Sequence, residues 1–354
     1  MRMNKEIALL LKEQVPFLSA SAPGGICISS RIRLSRNLAD FPFPIAADET
    51  SAAAVAQAVT EACTAAPALG TPFIFKMSAL DELERELLLE RHLASAELIR
   101  STKESALAVS ADELCSVMIN EEDHLRIQTI MPGFQLDECW KKVSQLDDEL
   151  GKTLNFAWDD NLGYLTACPT NMGTGMRSSV MLHLPGLVMT DRIQATIHGI
   201  NKLGLAVRGV FGEGSENTGA LYQVSNQITL GESEESIIEQ LTAVIRQLVE
   251  YERRARRALM EKDRFSLLDH VGRAFGLLQN SYKLNASEAA EALSAVRLGV
   301  DLGLFQHLQL SAVNELFTEL NPGHLQMRSG LVLPEAEQEV LRAKLFRTKL
   351  RERA

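Results

Sequence analysis

Residues 26–37 read Ile26-Cys27-Ile28-Ser29-Ser30-Arg31-Ile32-Arg33-Leu34-Ser35-Arg36-Asn37. Ile26, Ile28, Ile32 and Leu34 keep a period of two, with Ser30 in register between them. That is the pattern of a strand with one buried face. Arg31 and Arg33 fall together on the other face. Two guanidinium groups projecting from one side of a strand can clamp a polyphosphate through forked hydrogen bonds; two solvated strand arginines would show the same spacing. Pro23-Gly24-Gly25 marks the break before the run.

Outward from this strand, residues 4–18 predict a short helix ended near Pro16. The Ala-rich stretch 50–66 and the charged stretch 79–92 predict two more. From 105 to 230 the texture changes to short strands with glycine turns. Strands are predicted at 115–120, 124–131, 153–158, 163–168, 178–184, 205–210 and 220–229, with helical stretches at 134–150 and 189–203. This is an α+β reading, a mainly antiparallel sheet flanked by helices. A long helix is predicted after Gly231, with Ser233 as N-cap and Glu234 and Glu235 at the positive end of its dipole. Everything beyond it reads as helical, with a break at Asn321-Pro322-Gly323. The domain boundary is placed near residue 252, giving a sheet-bearing part, 1–252, and an all-helical part, 253–354.

The chain has 354 residues, long enough for two domains, and 46% of them are hydrophobic. Residues 1–250 carry 20 Lys+Arg against 33 Asp+Glu, and residues 251–354 carry 16 against 13. An acidic body with 5% aromatic residues argues against nucleic acid as a partner. Five widely spaced cysteines without a C-x-x-C pair suggest neither a zinc site nor a disulfide framework. No run of about 18 apolar residues and no cleavable apolar leader is seen, so the expected setting is cytoplasmic, away from the membrane.

The common nucleotide and hydrolase signatures are missing: G-x-x-x-x-G-K-[ST], H-R-D with D-F-G, G-x-S-x-G and H-E-x-x-H do not occur. Three segments join the arginine strand as candidates. Asn120-Glu121-Glu122-Asp123-His124-Leu125-Arg126 puts three acids at a strand end, which is either a solvated turn or a grip for a guanidinium or a magnesium–phosphate complex. Thr166-Ala167-Cys168-Pro169-Thr170-Asn171-Met172-Gly173-Thr174-Gly175, followed by Arg177, Ser178 and Ser179, holds a cysteine that Pro169 forces out of helical geometry. The glycines after it let backbone approach a ligand; a buried inert cysteine is the bland alternative. Val207-Arg208-Gly209-Val210-Phe211-Gly212-Glu213-Gly214 sets Glu213 between two glycines at a strand tip.

Together, S-S-R-I-R, N-E-E-D-H-L-R, C-P-T-N-M-G-T and R-G-V-F-G-E resemble the marks of the phosphagen (guanido) kinase superfamily, in the same order. Within it the chain is most similar to the bacterial protein arginine kinases. The phrases HLRIQTIMPGFQL, SSVMLHLPGLV and YQVSNQITLG carry this likeness, as do a start almost at the catalytic domain and a helical region of about a hundred residues after it. The resemblance implies transfer of the γ-phosphate of ATP, with Mg2+, to the guanidinium of arginine residues in proteins. It implies Glu122, Cys168 and Glu213 around the acceptor and Glu121 near the magnesium through water. It implies a nucleotide site made of Ser29, Ser30, Arg31, Ile32, Arg33, His92, Arg126, Arg177, Ser178, Ser179, Val180, Met181, Arg208, Gly209, Val210, Phe211 and Gly212. It further implies a homodimer, an activator protein, and work beside a Clp-type unfoldase and protease in the stress response.

The chemistry explains the residue types. An arginine guanidinium stays protonated and is a poor nucleophile. Two carboxylates, Glu122 and Glu213, can grip it, aim one nitrogen at the γ-phosphorus and take up a proton, with Glu122 favoured as base. Cys168 would orient the cation as a thiolate without a covalent intermediate. One stretch departs from the bacterial pattern. Where an R-D-x-x-R-A motif is implied to bind phosphoarginine, this chain has Gln338-Glu339-Val340-Leu341-Arg342-Ala343. Two rivals stay open on sequence: a kinase of a free guanidino compound, and a catalytically silent adaptor. An amide-forming enzyme on a related fold is opposed by C-P-T-N-M-G-T.

Overall fold

The computed structural model describes residues 3–19, 25–209 and 218–351. Among these, the strands are β1 (Cys27–Arg36), β2 (Phe73–Lys76), β3 (Ala106–Val109), β4 (Cys115–Ile119), β5 (Leu125–Pro132), β6 (Trp158–Asp159), β7 (Gly163–Tyr164), β8 (Met176–His183), β9 (Leu205–Gly209) and β10 (Leu221–Asn226). Eight of them form one antiparallel sheet in the order β2-β3-β4-β5-β1-β8-β10-β9, and β6 pairs with β7 in a small ribbon. The helices are α1 (Lys5–Leu10), α2 (Glu49–Ala65), α3 (Glu82–Glu90), α4 (Ala96–Arg100), α5 (Leu136–Gly151), α6 (Pro185–Met189), α7 (Ile193–Lys202), α8 (Glu234–Lys262), α9 (Arg264–Asn280), α10 (Ala286–Asp301), α11 (Leu310–Glu319), α12 (Pro322–Ser329) and α13 (Glu335–Arg351). The α+β architecture read from the sequence is the one observed.

The caps explain several helix starts. Asp48 accepts the Ser51 N–H at the head of α2, and Asp81 and Glu84 form a reciprocal capping box on α3. Ser233 accepts the Ser236 N–H on α8. One face of the sheet, carrying Ile32, Leu34, Val117, Ile127, Val180 and Val224, packs under α2, α5 and α8 as the main core. Part of the other face is covered as well. Ile28, Ile130, Met181 and Leu221 share a cluster with Phe17 and with Leu293, Val296 and Phe317 of the C-terminal helices. Helix α8 passes residue 252 without a break. At the seam His183 meets Ser294 Oγ and Arg297, and Arg297 donates to Gly25 O and Asn314 Oδ1.

Several expectations need correction. Residues 153–158 and 163–168 pair only as β6 and β7, because the chain there is a loop held to the Leu38–Ala39 backbone by Phe156 and Asn155. The helix expected over 4–18 is α1 followed by a 3-10 turn, Pro16–Leu18. The stretch 189–203 holds one helix, α7, which starts only at Ile193; Met189 ends the preceding α6, and the turn between them includes Asp191, whose φ is 54°. Strands β2 and β3 were not expected; β3 is buried at every position, so it shows no alternation. Among the described residues no helix is long and apolar enough to cross a membrane.

Candidate active site

Sheet register assembles the arginines. Arg33 of β1 lies directly opposite Arg177 of β8, and opposite residues of an antiparallel pair share a face. Arg31 sits two residues along, so it shares that face, as do Arg126, opposite Ser35 on β5, and Arg208, opposite Gln223 on β10. Arg33, Arg126, Arg177 and Arg208 line one cavity of about 630 Å³, together with Ser35, Glu97, Glu121, Glu122, Cys168, Thr170 and Asn171. Arg31 donates to Gln223 Oε1 at 2.8 Å.

The charges are poorly balanced. Burial, with Arg126 and Arg177 beside it, lowers Arg31 to about 10. Burial also pushes Arg33 well below its ordinary value, with Arg31, Arg126 and Arg177 adding to it and Glu121 opposing. Arg177 is lowered by burial, then by Arg208 and Arg126, and Cys168 and Glu122 oppose that shift. Guanidinium groups stay protonated, so these depressions reflect burial first and the crowding of like charge second, and an anion in the cavity would relieve the second.

The acidic turn stands at the other side. Asn120 takes φ 55° and its N–H bonds to His124 O, closing the β4–β5 hairpin. Glu121 is fully committed: it accepts from Ser95 Oγ at 2.5 Å, Arg126 at 2.6 Å and the Glu122 N–H at 2.8 Å. Among the described residues the Glu122 carboxylate pairs with Arg126 alone, at 2.8 Å, and its side chain is 41% exposed. Cys168 precedes a 3-10 turn, Pro169–Asn171, and its sulfur lies 3.0 Å from Thr170 Oγ1. Gly173, at φ 104°, runs so close to Thr229 that a Cβ there would stand 2.4 Å from Thr229 O. Only glycine fits that turn behind the cysteine.

Some expected residues lie elsewhere. Ile32 and Val180 point into the main core. Ser30 Oγ donates to Gly133 O and accepts from Gln135 N on the helix side of the sheet. Ser178 is buried, its N–H held by Asn226. Ser29 and Ser179 share the arginine face, opposite Met181 and Arg31. Gly209 ends β9 opposite Tyr222. His92 follows α3 at φ 59°, its ring 4.9 Å from Phe17, and burial near Arg31 lowers it to about 3, a neutral imidazole. His92 and Met181 line a second cavity rather than the first. Glu213, Val210, Phe211 and Gly212 lie outside the described residues.

Sequence reading missed how Asp123 acts. It is fully buried, and its Oδ1 accepts from Asn37 Nδ2 and from the Ala167 N–H, both at 2.6 Å. It ties the acidic turn to the cysteine loop. The only sequence signal was an acid beside His124, indistinguishable from a solvated turn. Glu97 and Ser95 also gave no signal. Among the described residues no group of three His, Cys, Asp or Glu side chains could cage a metal ion.

Comparison with known proteins follows the same outline. Residues 54–255 match the family model "ATP:guanido phosphotransferase, C-terminal catalytic domain", and residues 264–354 match "Protein-arginine kinase McsB C-terminal domain". The chain is 47% identical over 328 residues to a protein-arginine kinase of Geobacillus sp. (strain WCH70), covering 92% of this chain and 91% of the relative. It is 45% identical over 338 residues to that of Geobacillus stearothermophilus, covering 95% and 93%. Among solved structures, a taurocyamine kinase from Schistosoma mansoni superposes with TM-score 0.58 at 23% identity, over 75% of this chain and 39% of that duplicated chain. A lombricine kinase gives TM-score 0.58 at 22% identity, over 66% and 68%.

Proposed function

The chain belongs to the ATP:guanido phosphotransferase family, in its protein-arginine kinase branch, and from that premise we propose that it moves the γ-phosphoryl group of ATP onto the guanidinium of arginine residues in proteins. One observation carries the reading. A single cavity brings Arg33, Arg126, Arg177 and Arg208 together with Glu121, Glu122 and Cys168. A polyanion and a cation are thus called to adjacent walls.

The sheet arginines hold the triphosphate and absorb charge as the transferred group detaches. Glu122, with a single partner and partial exposure, grips the guanidinium and takes its proton. The N–P bond forms as the P–O bond to ADP breaks. Cys168, with Thr170 at its sulfur, orients the cation. Glu213 is assigned as the second carboxylate on the resemblance alone. Magnesium, when bound, neutralises phosphate oxygens. Glu121, whose carboxylate is already paired with Ser95, Arg126 and the Glu122 N–H, is assigned near that ion through water on the resemblance alone.

We assign the chemistry to 1–252 and docking and assembly to 253–354, a division near the two matched family spans. Family likeness also supports a cytoplasmic homodimer working with an activator and a Clp-type system under stress; light scattering on the full chain tests the dimer. The central experiment incubates the protein with ATP, magnesium and casein and maps the product by mass spectrometry. Acid-labile phosphoarginine is expected. Phosphoserine or phosphotyrosine as the main product overturns the reading, and turnover of free arginine alone would favour a small-molecule kinase.

A further inference from the structure

Among the described residues, three carboxylates line the candidate active site: Glu97, Glu121 and Glu122. Arg126 pairs with both Glu121 and Glu122. The Glu97 carboxylate makes no ion pair or hydrogen bond among the described residues, although Arg33, Arg126, Arg177 and Arg208 line the same cavity. We propose that Glu97 determines substrate specificity by charge: it selects arginines that stand beside a basic residue in the polypeptide and disfavours those beside an acidic one. This rests on the protein-arginine kinase reading of the same site.

Depth is the first support. The Glu121 side chain is fully buried, that of Glu122 is partly exposed, and Glu97 is exposed. The carboxylates thus run from the floor of the cavity to its mouth. A group at the mouth meets what surrounds the target arginine, not the reacting nitrogen. Anchoring is the second. Glu97 stands on α4, whose N-cap Ser95 accepts the Leu98 N–H and donates to Glu121 Oε1. Leu98 is fully buried, and Arg85 donates to Ile99 O at 3.2 Å. This short helix is tied to the core at both ends, so it carries Glu97 at a fixed place beside the acidic turn.

The third support is the missing partner. A long side chain that shares a cavity with four guanidinium groups and pairs with none of them belongs to the wall away from them, the wall of the incoming cation. Its charge is left for the substrate. An unpaired carboxylate there attracts a lysine or arginine next to the target residue and repels an aspartate or glutamate. Because the pair forms at an exposed position, its effect is modest and is screened by salt.

The test measures kcat/KM of the full chain for three capped peptides, each with one arginine flanked by lysine, glutamine or aspartate. Wild type, Glu97→Gln and Glu97→Lys are compared, with the KM for MgATP alongside. Wild type should prefer the lysine-flanked over the aspartate-flanked peptide by about tenfold at low salt, two exposed charge effects of about threefold each. The preference should shrink to about threefold or less in Glu97→Gln and reverse in Glu97→Lys, while the KM for MgATP holds. A preference unchanged in both variants overturns the proposal and leaves the kinase reading intact. An equal loss with all three peptides also overturns it, because Glu97 would then act on the reacting guanidinium or the nucleotide. Phosphoarginine on none of the peptides with wild type would sink the protein-arginine kinase reading, and this proposal with it.

Discussion

Replacing Asp123 tests whether the cysteine loop is held from beneath. In Asp123→Ala both the Asn37 amide and the Ala167 N–H lose their acceptor, and each bond is 2.6 Å long and charge-assisted. Such bonds contribute about 1.5–3 kcal/mol each. With both donors left buried, the expected loss is about 3–5 kcal/mol, read as a lowered urea midpoint at unchanged slope. Asp123→Asn keeps an oxygen for both donors but sets an amide where Oδ2 now sits, buried and without a partner. It should cost about 1–3 kcal/mol. Turnover should fall further than nucleotide affinity in both variants, because Cys168 is one residue from the released amide while the arginines sit on β-strands. Parallel measurements of phosphoarginine formation and MgADP calorimetry separate the two. An Asp123→Ala protein within about 0.5 kcal/mol of wild type, with full turnover, would refute the reasoning.

Cys168→Ala should reduce turnover strongly, leave MgADP affinity near wild type and change stability little, since the side chain is only partly buried; steady-state kinetics and calorimetry check this, and undiminished turnover would make the thiol inert. Glu90 is pushed up to about 7 by burial, although the Gly323 and His324 N–H groups and nearby Arg342 oppose the shift. A raised carboxyl favours the folded state when protonated, so its contribution is present below about 4.5 and lost as pH rises towards 7. Urea midpoints from pH 5 to 8 should therefore fall more steeply in wild type than in Glu90→Gln, and parallel slopes would count against it. Phosphoarginine should bind poorly in the C-terminal region, because Arg342 is buried and donates to Leu320 O and Leu284 O, and Glu339 pairs with Lys283. Calorimetric binding that survives Arg177→Ala and vanishes in Arg342→Ala would contradict this.

Strand β1 was legible because it alternates and carries arginines at a period of two. Strand β3 was not: four residues buried on both faces give no period and too short a run, whereas β4, equally buried, reads as an apolar run ending at the acidic turn. In the site, residues whose side chains meet across neighbouring strands were visible as motifs, yet the motifs do not say which side chain faces the ligand. Ser30 and Ile32 sit inside the arginine motif and point the other way. Asp123 and Glu121 stand two positions apart in one acidic run, and both are buried anchors, while Glu122 between them stays reachable. That distinction comes from tertiary contacts with Asn37, Ser95 and Ala167, far apart in the chain. The basic run at 253–257 also divides. Arg256 is buried against Glu252, Asp301 and His183 O, while Arg254 and Arg257 pair with exposed Glu250.

The register of β1 has a consequence for what the gene can tolerate. Ile32 and Leu34 fill the core from the same ten residues whose other face carries Arg31 and Arg33. A single residue inserted between Ser29 and Arg31 would turn each downstream side chain to the opposite face. Two guanidinium groups would enter the apolar layer and two aliphatic chains would line the ligand cavity. Fold and binding site would be lost in one event, with no route that damages the second while sparing the first. At the β2 edge, which carries no ligand residue, a length change has no such double effect. Insertions and deletions recovered from random libraries should therefore be depleted in 29–36 well beyond what burial alone would produce.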